Sequence, residues 1–215
     1  MIALRERLGR YRADVIALCV VIAGALITVL LPLTFPHNGG PTGVDDALAD
    51  PIHSAVDGHL GVYRALVIPS NGYILIPLLF TAAAWFGYRG WWRRAAAMVV
   101  IPEVAVGINS WVLKPLWDRP LHDYLAYPSG HTVHLVAIAT AFVLLIDSTR
   151  ARVRTAVLAM AALLCAATGM IGLGYHLPTD LLGGAAAAVA MVTALCRLTG
   201  HLLEPTQRAA RVHSG

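Results

Sequence analysis

Charge is scarce in this sequence: 13% of its 215 residues are Asp, Glu, Lys or Arg, against about a quarter in a soluble domain. A disordered chain, a coiled coil and a nucleic-acid-binding arm each need more charge than this, so none of the three fits and no nucleic-acid partner is expected. Lysine is rarer still. Lys114 stands alone among sixteen cations, the other fifteen being arginine; a GC-rich coding bias accounts for the arginines and leaves the one lysine as a hint of chemistry. Cysteine amounts to Cys19, Cys165 and Cys196, each inside an apolar run where a thiol packs as a small hydrophobe. They make no disulfide framework. Internal repeats and low-complexity linkers are absent too, which leaves a single membrane-embedded domain over residues 1–215.

What the chain has in excess is apolar length. Apolar residues make up 58% of it and the mean hydropathy is +0.68. About 20 residues span a bilayer, and apolar runs at 15–33, 70–88, 95–113, 131–146, 155–174 and 178–196 predict an all-α, six-helix transmembrane bundle. The first run is too long for the apolar core of a cleavable signal peptide and lacks a small-residue cleavage site. Residues 36–69 form an outer loop rich in Gly, Pro and Asp. Within it Val44, Leu48, Ile52, Val56 and Leu60 recur every fourth position while Asp45, Asp46, Asp50, His53 and Asp57 face elsewhere. That pattern predicts one or two short amphipathic helices at the membrane interface, interrupted at Pro51. Trp91 and Trp92, flanked by Arg89, Arg93 and Arg94, read as an interface belt.

Six spans put the N-terminus, the loops 89–94 and 148–154 and the C-terminal tail on one side, with four, three, three and three arginines. The other side holds Arg64, Lys114 and Arg119 beside Asp45, Asp46, Asp50, Asp57, Asp118, Asp123 and Asp180. Short cytoplasmic loops collect Lys and Arg, so both termini are expected in the cytoplasm of a multi-pass plasma-membrane protein. The segments after the first, third and fifth spans then meet on the extracytoplasmic face. Nothing in the pattern fixes an oligomeric state.

Three features gather on that face. His176 and Asp180 in HLPTD are spaced i, i+4 at a helix entrance, where a carboxylate on one imidazole nitrogen raises the basicity of the other and makes a nucleophile or base. A capped helix start with Pro178 in its first turn has the same appearance. Ser129, Gly130 and His131 in PSGHT open a helix whose N–H groups and dipole favour an anion; His131 is placed to donate a proton to a leaving oxygen. An N-cap serine beside an interfacial histidine is the plainer alternative. Lys114 and Arg119 in KPLWDRP suit a phosphate, or else snorkel to the interface.

Taken together these motifs resemble the type-2 phosphatidic acid phosphatase superfamily of integral membrane lipid phosphatases. That family carries a lysine followed by Arg-Pro, then PSGH, then Ser-Arg, five residues, His, three residues, Asp. Pro128–His131 matches the second motif, His176 and Asp180 match the end of the third, and the trailing Leu181, Leu182, Gly183 and Gly184 also look like the family. Two positions depart. The family commonly places its arginine where this chain has Leu121, Arg119-Pro120 coming two residues early, and its Ser-Arg pair falls on Gly169 and Met170. A charge-assisted contact contributes about 1.5–3 kcal/mol, so two missing cations would weaken phosphate binding tens- to thousands-fold unless His134, His122 or Arg64 substitutes.

The resemblance implies a phosphatase acting on a lipid phosphate or diphosphate, of isoprenoid-carrier or phosphatidate type, with no metal and no other cofactor. His176 would attack phosphorus with Asp180 fixing its tautomer, and His131 would protonate the leaving alcohol. Lys114, Arg119, Ser129 and Gly130 would hold the phosphoryl group. Transfer to an acceptor alcohol, or lipid binding or assembly with weak catalysis, are the alternatives. Glu103, inside the third span, is costly in lipid and is expected to face the bundle in a structural hydrogen bond. His37, His53 and His59 read as a solvated loop.

Overall fold

The computed structural model describes residues 2–56 and 58–203. Its first helix, α1 (Ile2–Leu30), runs into a 3-10 turn at Leu31–Thr34. The outer loop holds α2 (Gly43–Val56) and α3 (Leu60–Val67), and α3 leads through a turn at Ile68–Ser70 into α4 (Gly72–Tyr88). Next, α5 (Trp92–Ile108) passes through a π turn at Asn109–Leu113 into the single turn α6 (Lys114–Trp117). A hairpin of β1 (Pro120–Leu121) and β2 (Tyr124–Leu125), antiparallel with Pro120 opposite Leu125, precedes α7 (Gly130–Leu145). The chain then forms α8 (Thr149–Gly172) and α9 (Pro178–Leu203). Ser148 caps α8 by accepting the Ala151 N–H at 3.3 Å, which starts this helix six residues before the expected 155.

Among the described residues five helical stretches are long and apolar enough to cross a membrane: Arg7–Thr34, Leu60–Tyr88, Trp92–Trp117, Thr149–Gly172 and Pro178–Gly200. The sixth expected span, 131–146, is α7, which at 16 residues falls short of that length. Its sixteen residues rise about 24 Å, less than the roughly 30 Å of a hydrocarbon core. The shortfall is tolerated because α7 is central: it packs on α4, α5, α8 and α9, and Val133, Ala137, Ile138 and Ala141 are buried among Leu79, Met98, Ala105 and Val192. The peripheral helices bury little and present large apolar side chains outward, Leu158 being 70% exposed. Such faces need lipid against them.

The outer loop corrects two expectations. Helix α2 runs unbroken through Pro51, and the chain turns afterwards at Gly58, whose φ of 92° suits glycine. Asp45 does not face away from the protein; it is fully buried. Asp57, and the C-terminal Arg208 and Arg211 counted in the topology, lie outside the described residues.

At one end of the bundle Arg94 donates to the Leu145 carbonyl at 3.0 Å and to Asp147 at 2.7 Å, and Arg197 donates to Asp14 at 2.6 Å. The guanidinium groups of Arg89 and Arg94 sit 5.1 and 4.8 Å from the Trp91 ring, the cation–π contacts of an interface belt. At the other end the three motifs converge.

Candidate active site

The site begins with a turn. Asp118 ends α6 in the left-handed conformation, at φ 43°, and the chain reverses so that Arg119 is buried, 2% exposed. All five of its N–H donors are engaged. Nε donates to the Gly39 carbonyl at 3.1 Å; one terminal nitrogen donates to Thr179 Oγ1 at 2.7 Å and Asp180 Oδ1 at 2.8 Å. The other donates to the Gly40 carbonyl at 2.8 Å and Asp45 Oδ2 at 3.2 Å, and the guanidinium lies 3.8 Å from the Phe35 ring centre.

Asp45 is placed by the start of α2. The Thr42 N–H and hydroxyl donate to its carboxylate while its own N–H donates back to Thr42 Oγ1, a reciprocal capping arrangement. It also accepts the Thr179 N–H at 2.7 Å and the Thr179 hydroxyl at 3.1 Å. Burial pushes the Asp45 carboxyl up, but the hydrogen bonds from Thr42 and Thr179 outweigh it and hold the group below its ordinary value.

Asp180 sits in the first turn of α9, where it makes the capped helix start raised for HLPTD and also stands near His176. Its Oδ2 accepts the Leu177 N–H at 2.9 Å, capping the helix behind Pro178, and lies 3.6 Å from His176 Nδ1. That is an ion-pair distance rather than a hydrogen bond, and Nδ1 is buried without a partner. The Asp180 carbonyl accepts the Ser129 N–H at 3.0 Å, tying the second motif to the third. Tyr127 braces this junction by donating to the Thr28 carbonyl at 2.7 Å. Its ring is admitted by Gly183, where a Cβ would lie 2.2 Å from it.

These contacts frame a cavity of about 500 Å³ lined by Lys114, His131, His134, His176, Tyr124 and Tyr175, with Gly130 at the mouth of α7. The His131 and His176 rings are 6.3 Å apart between centres. The Lys114 ammonium donates to the Leu125 carbonyl, and the Tyr124 hydroxyl to the Tyr175 carbonyl. Burial and the nearby Asp180, Asp123 and Tyr175 push the Tyr124 phenol up, so it stays a neutral donor. Glu103 Oε1 accepts from His134 Nε2 at 3.0 Å, the structural hydrogen bond expected of it, but its side chain is 47% exposed and so is not turned into the bundle as expected. Between Glu103 and Lys114 the π turn changes the helix phase, a feature frequent beside functional sites.

The sequence candidates divide accordingly. Lys114, Gly130, His131, His134 and His176 line the cavity, and Asp180 lies directly behind His176. Ser129 is fully buried beside the mouth with its Oγ unpartnered. Arg119, His122 and Arg64 do not line it; His122, at φ 56°, turns the hairpin and stacks 6.2 Å from Tyr124. Sequence reasoning missed Asp45, Thr179, Tyr124 and Tyr175. The Thr42-x-x-Asp45 capping pattern was the one available signal, for Asp45. Among the described residues no group of three or more His, Cys, Asp or Glu is placed to hold a metal ion.

Residues 108–202 match the model of the PAP2 superfamily. Over that stretch the chain is similar to the PAP2 superfamily. The fold is also similar to the crystal structure of the first transmembrane PAP2 type phosphatidylglycerolphosphate phosphatase from Bacillus subtilis. The TM-score is 0.66 at 19% identity, covering 86% of this chain and 98% of that one. No curated protein matches significantly.

Against the PAP2 pattern, the departures at Gly169 and Met170 have a packing cause. Met170 is fully buried in an apolar cluster with Val67, Ala166, Ile171 and Leu181. A Cβ on Gly169 would lie 2.7 Å from the Tyr63 carbonyl oxygen and the Val67 nitrogen, so the glycine lets α3 lie directly on α8. The outer helix α3 thus covers the place where the family carries Ser-Arg.

Proposed function

We propose that this chain is a multi-pass membrane phosphatase that removes phosphate from a lipid phosphate or diphosphate through a phosphohistidine on His176. The observation that carries this reading is the joint placement of Lys114, His131 and His176 around one cavity at the N-terminus of α7. With ring centres 6.3 Å apart, the two imidazoles leave room for a phosphoryl group between them.

In the first step Nε2 of His176 forms a bond to phosphorus as the phosphorus–oxygen ester bond breaks. His131 gives its proton to the departing alkoxide. Asp180, whose Oδ2 lies 3.6 Å from Nδ1, favours the proton on that nitrogen through its charge and stabilises the positive charge that develops on the ring. In the second step His131 takes a proton from water, the water oxygen bonds to phosphorus and the nitrogen–phosphorus bond breaks. Lys114, the Gly130 N–H and the unpartnered Ser129 hydroxyl stabilise the equatorial oxygens, aided by the α7 dipole. Every step is assigned to a side chain of the protein.

The lipid class has support in an apolar groove of about 350 Å³ between α4, α7 and α8, lined by Ile74, Leu78, Leu135, Ile138 and Leu158. It opens beside Pro69, next to Ser70 and Gly72 of the cavity, so a phosphate in the cavity can leave its alkyl tail in the groove. The arginine-rich opposite end supports a reading in which the cavity faces the extracytoplasmic side. The similar Bacillus protein is a phosphatidylglycerolphosphate phosphatase, which makes a glycerophospholipid monophosphate the first substrate to try, followed by phosphatidate and an isoprenoid diphosphate.

The test is phosphate release from such a lipid panel by detergent-purified protein, with His176→Ala and His131→Ala alongside. Removal of the general acid is expected to lower turnover about 10²–10⁴-fold, and removal of the nucleophile to abolish it. Release that survives both substitutions contradicts the mechanism, and its absence with every lipid favours a binding role.

A further inference from the structure

Arg119 has a place in the site that differs from phosphate binding. It is 2% exposed, it does not line the cavity, and each of its five N–H donors already has an acceptor. Contact with a substrate phosphate would break several of these bonds and desolvate the partners left behind.

What Arg119 does touch is the back of the catalytic pair. Asp180 Oδ1 is held by Arg119 at 2.8 Å and Oδ2 by the Leu177 N–H at 2.9 Å. With both oxygens fixed the carboxylate cannot rotate, and Oδ2 stays beside His176 Nδ1. A lone guanidinium so close to Asp180 would neutralise the charge that the imidazole needs. Asp45 answers this: its carboxylate takes the other side of the same guanidinium at 3.2 Å, and Thr179 accepts from Arg119 while donating to Asp45. Two carboxylates against one guanidinium leave one negative charge in excess next to His176. All three charged side chains are buried, 1% exposed or less.

We propose that Arg119 is a positioning residue for the His176–Asp180 pair and Asp45 its counter-charge, making the start of α2 in the outer loop an arm of the catalytic apparatus. The proposal rests on the phosphatase reading for its kinetic consequences and on geometry for its structural ones. Lysine at position 119 keeps the charge but not the fork of donors, so it does not rescue the clamp.

The experiment compares wild type, Arg119→Lys and Asp45→Asn, with Lys114→Ala as the phosphate-binding contrast, each first shown to be monodisperse in detergent. If Arg119→Lys fails that criterion, Asp45→Asn, which keeps the shape and removes one charge, carries the test. Two readouts are taken. The first is kcat, KM and the inhibition constant of inorganic phosphate. For Arg119→Lys kcat is expected to fall about tenfold or more with KM and the phosphate constant within about twofold, and Asp45→Asn to move the same way by less; Lys114→Ala weakens phosphate instead. The second is the ¹⁵N NMR signature of the His176 ring, assigned with His176→Gln, which in wild type shows the proton on Nδ1 and in the clamp variants a mixture of tautomers. A rise in KM and the phosphate constant with kcat intact, or His176 signals unchanged in both variants, overturns the proposal. Wild type that releases no phosphate from any lipid, yet shows the change of tautomer in the variants, sinks the phosphatase reading and supports the clamp.

Discussion

The two ends of the bundle both use arginine, for different purposes. At the arginine-rich end Arg94 meets Asp147 and Arg197 meets Asp14 with side chains 36–70% exposed, and the rings of the tryptophan belt take up the remaining charge. Such pairs orient a protein in a membrane without holding its fold together. At the cavity end Arg119 is enclosed by Asp45, Asp180, Thr179 and two backbone carbonyls. A buried charge is tolerated only when its partners are complete, which makes this cluster intolerant of change in any member. The comparison teaches that count and sign of charge locate a side of the membrane, while burial decides which arginine the site depends on.

Breaking the comparison at its strongest point, Arg119→Ala is expected to destabilise the protein by about 3–5 kcal/mol because it leaves two buried carboxylates unpaired; thermal melting in detergent measures it. Gly183→Ala, which drives a methyl into the Tyr127 ring, is expected to cost about 1–3 kcal/mol by the same measurement. Acid sharpens the contrast further. Asp45 has a folded value below its ordinary 3.8, so its contribution is fully present above that pH and is lost as pH falls through the lowered value. Melting temperature is expected to drop over that acid window in wild type and to drop less in Asp45→Asn. The smallest effect belongs to the other end, where Arg94→Ala is expected to cost no more than about 1 kcal/mol, since an exposed pair contributes little. An Arg94→Ala loss equal to that of Arg119→Ala would erase the distinction drawn between the ends.

Much of the fold was legible because apolar length is a local property: five of the six expected spans appear as helical stretches long enough to cross a membrane. The sixth was expected at 131–146 and is found equally short as α7, Gly130–Leu145; what no local pattern reports is that protein surrounds it. Pro51 misled for a related reason. Local rules penalise proline within a helix, yet α2 continues through it and the turn occurs at Gly58. In the site, Lys114, Gly130, His131 and His176 were legible from motif spacing and do share one cavity. Arg119 read as a phosphate cation because spacing gives its position along the chain and says nothing of Gly39, Gly40 and Asp45, which reach it across about 80 residues. Met170 read as a missing cation; in three dimensions it fills an apolar cluster under α3.

The central claim is that phosphate passes through His176. Detergent-purified protein mixed with a lipid phosphate carrying ³²P, quenched within a turnover and mapped for acid-labile, alkali-stable label, tests it most directly. The account predicts label on the peptide bearing His176 in wild type and none in His176→Gln. Turnover with no label on that peptide, or label undiminished in His176→Gln, would contradict it.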